Sequence, residues 1–172
     1  MRGKVILAVV ILAGLGLGGW GGYWLYGEHK KKKAWEEGTR PFNTLTKIRA
    51  AMNPVTGDPT DFNKKTMVML FNSECDHCQA EMDILSKNLD ALKDIQLWFI
   101  SFEEENQALN FLLRKKMLNH PDMQLFITYP EDAKALFGAL WLPQTFLYED
   151  NQLKEGFLGP IKFEEQIVPF LD

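Results

Sequence analysis

The chain has only two cysteines and three histidines in 172 residues, and it contains no second C-x-x-C. A multiply bridged scaffold is therefore excluded, and so is a four-cysteine zinc ribbon. It has no internal repeat and no low-complexity tract beyond Lys30 to Lys33. Positive charge is scarce after that tract. Residues 1–33 hold Arg2, Lys4 and Lys30 to Lys33 against Glu28 alone, which leaves 13 basic and 22 acidic residues in the remainder. That imbalance argues against nucleic acid as a partner and leaves room for a cationic protein. What is plentiful is apolar surface: 46% of the residues are hydrophobic and 12% aromatic, enough to fill one core without disulfide staples. Both cysteines are thus free for chemistry.

From Val5 to Tyr26 no residue is charged. A helix of this length, at about 1.5 Å per residue, crosses a hydrocarbon core of about 30 Å, so the segment predicts a single membrane span. Trp20, Tyr23, Trp24 and Tyr26 gather at its C-terminal end, where amphipathic rings prefer the headgroup level. Met-Arg-Gly-Lys resembles the basic start of a signal peptide, but no A-x-A-like cleavage site follows, so an uncleaved anchor is expected. Gly14, Gly18 and Gly22 share one helix face and offer a surface for dimerisation with a second span. Counting flanking charges favours a cytoplasmic domain. A tethered domain with two free cysteines is most useful where protein disulfides persist, and on that ground an extracytoplasmic or periplasmic domain is expected.

Three regions follow: an anchor with its basic flank over 1–33, a linker and irregular lead-in over 34–66, and a folded domain over 67–172. The lead-in carries Pro41, Pro54 and Pro59 and a turn-like Thr56-Gly57-Asp58, with a short helix near Thr44 to Met52. Thr66 to Asn72 is an apolar run that suits a strand buried on both faces. Cys78, Met82, Leu85, Leu89 and Leu92 then recur at three or four, the period of an amphipathic helix. Beyond it the sequence predicts a strand over Ile95 to Phe102, a helix over Glu104 to Leu118, a strand over Met123 to Thr128 and a helix over Glu131 to Leu140. A hairpin of Gln144 to Tyr148 with Leu153 to Leu158 and a last helix over Phe163 to Leu171 complete the chain. The order β-α-β-α-β-α-β-β-α implies an α/β fold with a central mixed sheet flanked by helices.

Cys75-Asp76-His77-Cys78 falls where a strand, a tight turn and a helix start meet. Two cysteines three apart at a helix start bring both sulfurs within bonding reach, so one can attack and the other resolve. Unpaired backbone N–H groups there favour negative charge on Cys75, as does a protonated His77, whereas Glu74 and Asp76 oppose it. The redox reading competes with two others. The pair can be half of a zinc site completed by His77 or His120, or two small packed side chains.

Together the strand Met67 to Asn72, Cys75-Asp76-His77-Cys78-Gln79-Ala80-Glu81, the inserted strand and helix from Met123 to Leu140, and Trp141-Leu142-Pro143-Gln144-Thr145-Phe146 resemble the thioredoxin superfamily. Within it the likeness is to membrane-tethered thiol–disulfide oxidoreductases of the TlpA/ResA type, and it covers about residues 60–172. The resemblance implies a thioredoxin-like fold and a redox-active Cys75–Cys78 disulfide with no other cofactor. It also implies a cis Pro143 facing the dithiol, a Leu142 backbone that pairs with extended substrate peptides, and an acid, Glu81, linked to proton handling. Glu74 and His77 flank the same substrate surface. The partners implied are proteins with disulfides or thiols and an upstream thiol protein that donates electrons. Two departures stand out: Glu74 replaces the Trp common before the first cysteine, and Met69 occupies the position of the thioredoxins' buried acid. Histidine before the second cysteine also occurs in oxidising relatives, so oxidase or isomerase action stays open beside reduction.

Overall fold

Strand β1 (Thr66–Leu70) lies at the centre of the sheet, buried at every position as its unbroken apolar run predicts. The computed structural model describes residues 43–52, 54–56, 61–138 and 140–172. The span expected over 5–26, its basic flank and Gly14, Gly18 and Gly22 lie outside them. Among the described residues no helix is long and apolar enough to cross a membrane.

After α1 (Leu45–Ala51) and β1 come α2 (Asp76–Lys87), α3 (Leu89–Leu92), β2 (Gln96–Ser101), α4 (Glu105–Arg114), a 3-10 turn (Met117–Asn119), β3 (Met123–Ile127) and α5 (Pro130–Phe137). The hairpin strands β4 (Gln144–Glu149) and β5 (Gln152–Leu158) follow, then a π-helical turn (Phe163–Ile167) that runs into α6 (Val168–Leu171). The sheet order is β3-β2-β1-β4-β5. β1, β2 and β3 are mutually parallel, and β4 is antiparallel to both β1 and β5. This is the mixed α/β sheet that the alternation of elements implies.

Alternating side chains divide the core between the two faces of the sheet. On one face Met67, Met69, Leu97, Phe99, Leu125 and Leu147 meet Cys78, Met82 and Leu85 of α2 and Phe111 and Leu112 of α4. On the other, Trp98 packs on Phe126 with ring centroids 5.1 Å apart, and Phe137 of α5 stacks on Phe146 at 5.5 Å. The β4–β5 turn places Asp150 and Asn151 at φ 51° and 65°. These two residue types tolerate the left-handed region, and two such residues in succession make the tight turn whose twist suits a hairpin.

Local chemistry sets two details that periodicity does not. The apolar repeat Leu85-Leu89-Leu92 runs on through Asn88, yet the helix breaks there. The Asn88 amide donates to Ile84 O at 2.9 Å, and its backbone leaves helical geometry at φ −115° and ψ 20°. The C-terminal helix begins with a widened turn, and Pro169, which has no N–H to donate, sits at the start of α6.

The lead-in is tied to both borders of the sheet. Thr44 bridges Gln152 on β5, and Leu153 N donates to Asn43 O at 3.0 Å. Pro54 bridges Phe126 on β3, and Val55 N donates to Leu125 O at 2.7 Å. Between these stitches α1 buries Leu45 and Ile48 completely. The segment therefore covers strand edges whose backbone groups would otherwise invite pairing with other chains.

Candidate active site

The turn after β1 delivers Cys75 to the mouth of α2. Phe71 N still donates to Ile100 O at 3.0 Å, which extends the sheet one residue beyond β1. Asn72 then organises the bend: its Oδ1 accepts from Glu74 N at 2.8 Å and its carbonyl from Cys75 N at 3.2 Å. Cys75 keeps an extended backbone, φ −81° and ψ 115°, as the residue capping α2, and its carbonyl accepts the first helical bond, from Gln79 N at 2.9 Å.

Both cysteines are free thiols, with opposite exposure. Cys75 is half-buried, and its Sγ lies 3.9 Å from Leu142 O. Cys78, one turn into the helix, is completely buried. Burial pushes the Cys78 thiol well above the ordinary cysteine range, and the neighbouring Cys75 and Glu81 add to this against an opposing bond from the Asn72 backbone. Of the two sulfurs only that of Cys75 is open to solvent.

Glu81 follows Cys78 by three residues on the same face of α2 and is fully buried. Thr145 Oγ1 donates to its Oε1 at 2.7 Å, and Ile161 N donates to its Oε2 at 3.1 Å. Burial pushes this carboxyl up to about 7, and the Thr145 and Ile161 bonds pull the other way without restoring an ordinary value. A buried acid that titrates near neutrality can take or give a proton at working pH. Met69, at the register position facing Thr145, is fully buried and apolar. The interior acid beneath this dithiol therefore comes from the helix and not from β1.

The structure brings Cys75, Cys78, Glu81, Leu142 and Pro143 to one locus. The Leu142–Pro143 peptide bond is cis, and the Pro143 carbonyl accepts from Gly159 N at 2.8 Å. Glu74 and His77 lie on the exposed rim. Trp141, which precedes Leu142, is 64% exposed and is one of few large apolar side chains left open to solvent among the described residues. The other candidate histidine, His120, is buried and occupied by the backbone. Its Nδ1 accepts from Asp122 N at 3.2 Å, so Nε2 carries the proton donated to Leu92 O at 2.9 Å. Among the described residues no three His, Cys, Asp or Glu side chains are grouped to hold a metal ion.

A second network, invisible to spacing, holds the turn before Cys75. The Glu103 carboxylate, just after β2, accepts from Ser73 N at 2.7 Å, Ser73 Oγ at 2.5 Å and Ser101 Oγ at 3.0 Å. Gln107 Nε2 donates to Ser73 Oγ at 3.2 Å, and Gln79 Nε2 donates to Ser73 O at 2.9 Å. Thirty residues separate Ser73 from Glu103, and no motif announces the pairing. In the sequence Thr145 is marked only as part of the stretch after Pro143, and Ile161 carries no signal at all.

This sheet order, with a dithiol at the carboxyl end of the central strand and a cis-proline loop beside it, defines a thioredoxin-like fold. Solved structures that share this fold include proteins described as thiol–disulfide oxidoreductases. The chain is similar to a secreted Mycobacterium tuberculosis disulfide oxidoreductase described as homologous to E. coli DsbE, with 13% identity and a TM-score of 0.53 over 63% of this chain and 81% of that one. It is also similar to StoA from Bacillus subtilis, with 18% identity and a TM-score of 0.53 over 70% and 94%. A thio-disulfide isomerase from Thermus thermophilus aligns with 20% identity and a TM-score of 0.52 over 70% and 88%. No protein-family profile and no curated protein matches the sequence.

Proposed function

We propose that the protein is a thiol–disulfide oxidoreductase that reduces or exchanges disulfides of partner proteins through Cys75 and Cys78. The observation that carries this reading is the asymmetry of the pair: one sulfur stands at the helix mouth against Leu142 O, and the other is sealed beneath it beside a buried acid. The Cys75 thiolate attacks a substrate sulfur, the substrate S–S bond breaks, and one substrate thiolate leaves. Cys78 then gives its proton to the Glu81 carboxylate and attacks the Cys75 sulfur, closing the Cys75–Cys78 bond and releasing the second substrate thiolate. Two electrons pass from the dithiol to the substrate, and a donor thiol protein returns them by the same exchange in reverse. The half-buried Leu142, next to the exposed Trp141 and against Cys75, supports substrate binding by backbone pairing. The apolar stretch over 5–26 supports anchoring to a membrane with the domain on the extracytoplasmic side, where client disulfides persist. Gly14, Gly18 and Gly22 support pairing of two such anchors.

The test is equilibration of the purified protein against glutathione redox buffers, combined with insulin reduction. A single two-electron transition should appear, with a potential nearer about −270 mV than the roughly −120 to −180 mV of disulfide oxidants and isomerases, together with catalysed insulin reduction. A protein that forms no Cys75–Cys78 disulfide at any buffer ratio would exclude the mechanism.

A further inference from the structure

A groove opens at the carboxyl ends of β2 and β3, lined by Phe102, Glu103, Glu104 and Glu105 after β2 and by Ile127 and Tyr129 from the end of β3. Ligands of open α/β sheets bind outside these strand ends. Three features give the groove a chemical character. Its apolar part includes Tyr129, a residue 75% exposed. Its rim carries the exposed carboxylates of Glu104 and Glu105, for which no bonded partner exists among the described residues. Its inner wall, Glu103, is the residue clamped onto Ser73, two positions before Cys75. The groove is therefore held in register with the reactive sulfur by direct hydrogen bonds. Glu103 already accepts from three donors, so its part is to fix the wall, and Glu104 and Glu105 are the charges left to meet a ligand.

The surrounding edge is charged with one sign. Residues 72–77, 102–108 and 127–132 carry seven carboxylates and no lysine or arginine. A basic side chain fits both parts of the groove. Its aliphatic stem lies along Phe102 and Ile127, its cationic head faces the tyrosine ring, and the carboxylates complete the pairing. Sheet order fixes where on the substrate that side chain belongs. Leu142 leads into β4, Cys75 follows β1, and the groove lies across β2 and β3, so an extended segment crossing this edge meets them in that order. At about 4.8 Å between strands, the groove lies roughly two extended residues beyond the sulfur.

We propose that this groove is a substrate subsite for lysine or arginine, so that the favoured clients are extended polypeptide segments with a basic residue about two positions from the cysteine under attack. The inference rests on the thiol–disulfide reading above and names its substrate class.

The test uses the reduced full-length protein and synthetic peptides whose single cysteine carries a nitrobenzoate disulfide, with lysine or glutamate two residues away on either side. Attack by Cys75 on the peptide sulfur breaks that disulfide and releases the coloured nitrobenzoate thiolate, which reports the rate. For one of the two placements the lysine peptide should react about tenfold faster than its glutamate counterpart at low ionic strength, and the ratio should fall as salt is added. In Glu104→Lys/Glu105→Lys the ratio should invert, and in Tyr129→Ala it should shrink. Equal rates for both peptides in the wild-type protein, or a preference that survives the charge reversal, overturns the inference and leaves the oxidoreductase reading intact. A wild-type protein that reacts with neither peptide, nor with the symmetric nitrobenzoate disulfide, removes both.

Discussion

Serine in place of Cys75 is expected to bring insulin reduction down to the uncatalysed background, a loss of about three orders of magnitude or more in kcat/KM. Cys75 is the only one of the two sulfurs with solvent access. Cys78 cannot substitute for it, because it is enclosed and burial holds its thiol protonated far above neutrality. Serine at Cys78 should have a different outcome. The first attack proceeds, the mixed disulfide forms, and nothing inside the protein resolves it, so the variant accumulates as a covalent adduct visible on a non-reducing gel. The pair of results separates attacker from resolver. Two variants that both keep wild-type insulin reduction would remove Cys75 and Cys78 from the chemistry altogether.

The second large effect concerns Glu81 and pH. Its carboxyl is raised from 4.5 to about 7 in the folded chain, chiefly because burial penalises the charged form. Between those two values the unfolded chain has released the proton and the folded chain still holds it, so stability falls as pH rises. The contribution is complete below about 4.5 and gone once pH has passed the folded value near 7. At about 1.4 kcal/mol for each pH unit, that span corresponds to about 3 kcal/mol. Glu81→Gln carries no titrating group, so urea denaturation from pH 4.5 to 8 should show the variant gaining about 3 kcal/mol on the wild type across the window. Parallel stability curves would mean that Glu81 titrates as an ordinary carboxyl. The same substitution should slow resolution of the mixed disulfide above neutral pH, where the wild-type carboxylate is ionised and ready to take the Cys78 proton.

Much of this architecture is written in local pattern. β1 and β2 are unbroken apolar runs because both of their faces are covered, and the hairpin shows itself through the polar turn around Asp150 and Asn151. The helical repeat locates α2 but runs past its end, because Leu89 and Leu92 keep the apolar period while the Asn88 amide takes a backbone carbonyl. The site divides in the same way. C-x-x-C and a glutamate three residues later are readable as spacing. What makes that glutamate unusual is its burial, and the partners that hold it in place, Thr145 and Ile161, stand 64 and 80 residues downstream and meet it only after the sheet has formed. The hold of Glu103 on Ser73 belongs to the same class: both residues are unremarkable in sequence and acquire meaning from the parallel pairing of β1 with β2.

The stitching of Asn43 and Thr44 to one margin of the sheet and of Pro54 and Val55 to the other bears on where the molecule can be cut. A version trimmed to begin at Met67 would lose Leu45 and Ile48 from the interior and uncover the outer backbone of β3 and β5 at once. Such a fragment would be sticky along two flanks, prone to stacking with its own copies while its dithiol remained chemically whole. The shortest self-sufficient piece therefore starts ahead of Asn43, and the stretch that looks like a spacer behaves as a hem that keeps the fabric from fraying.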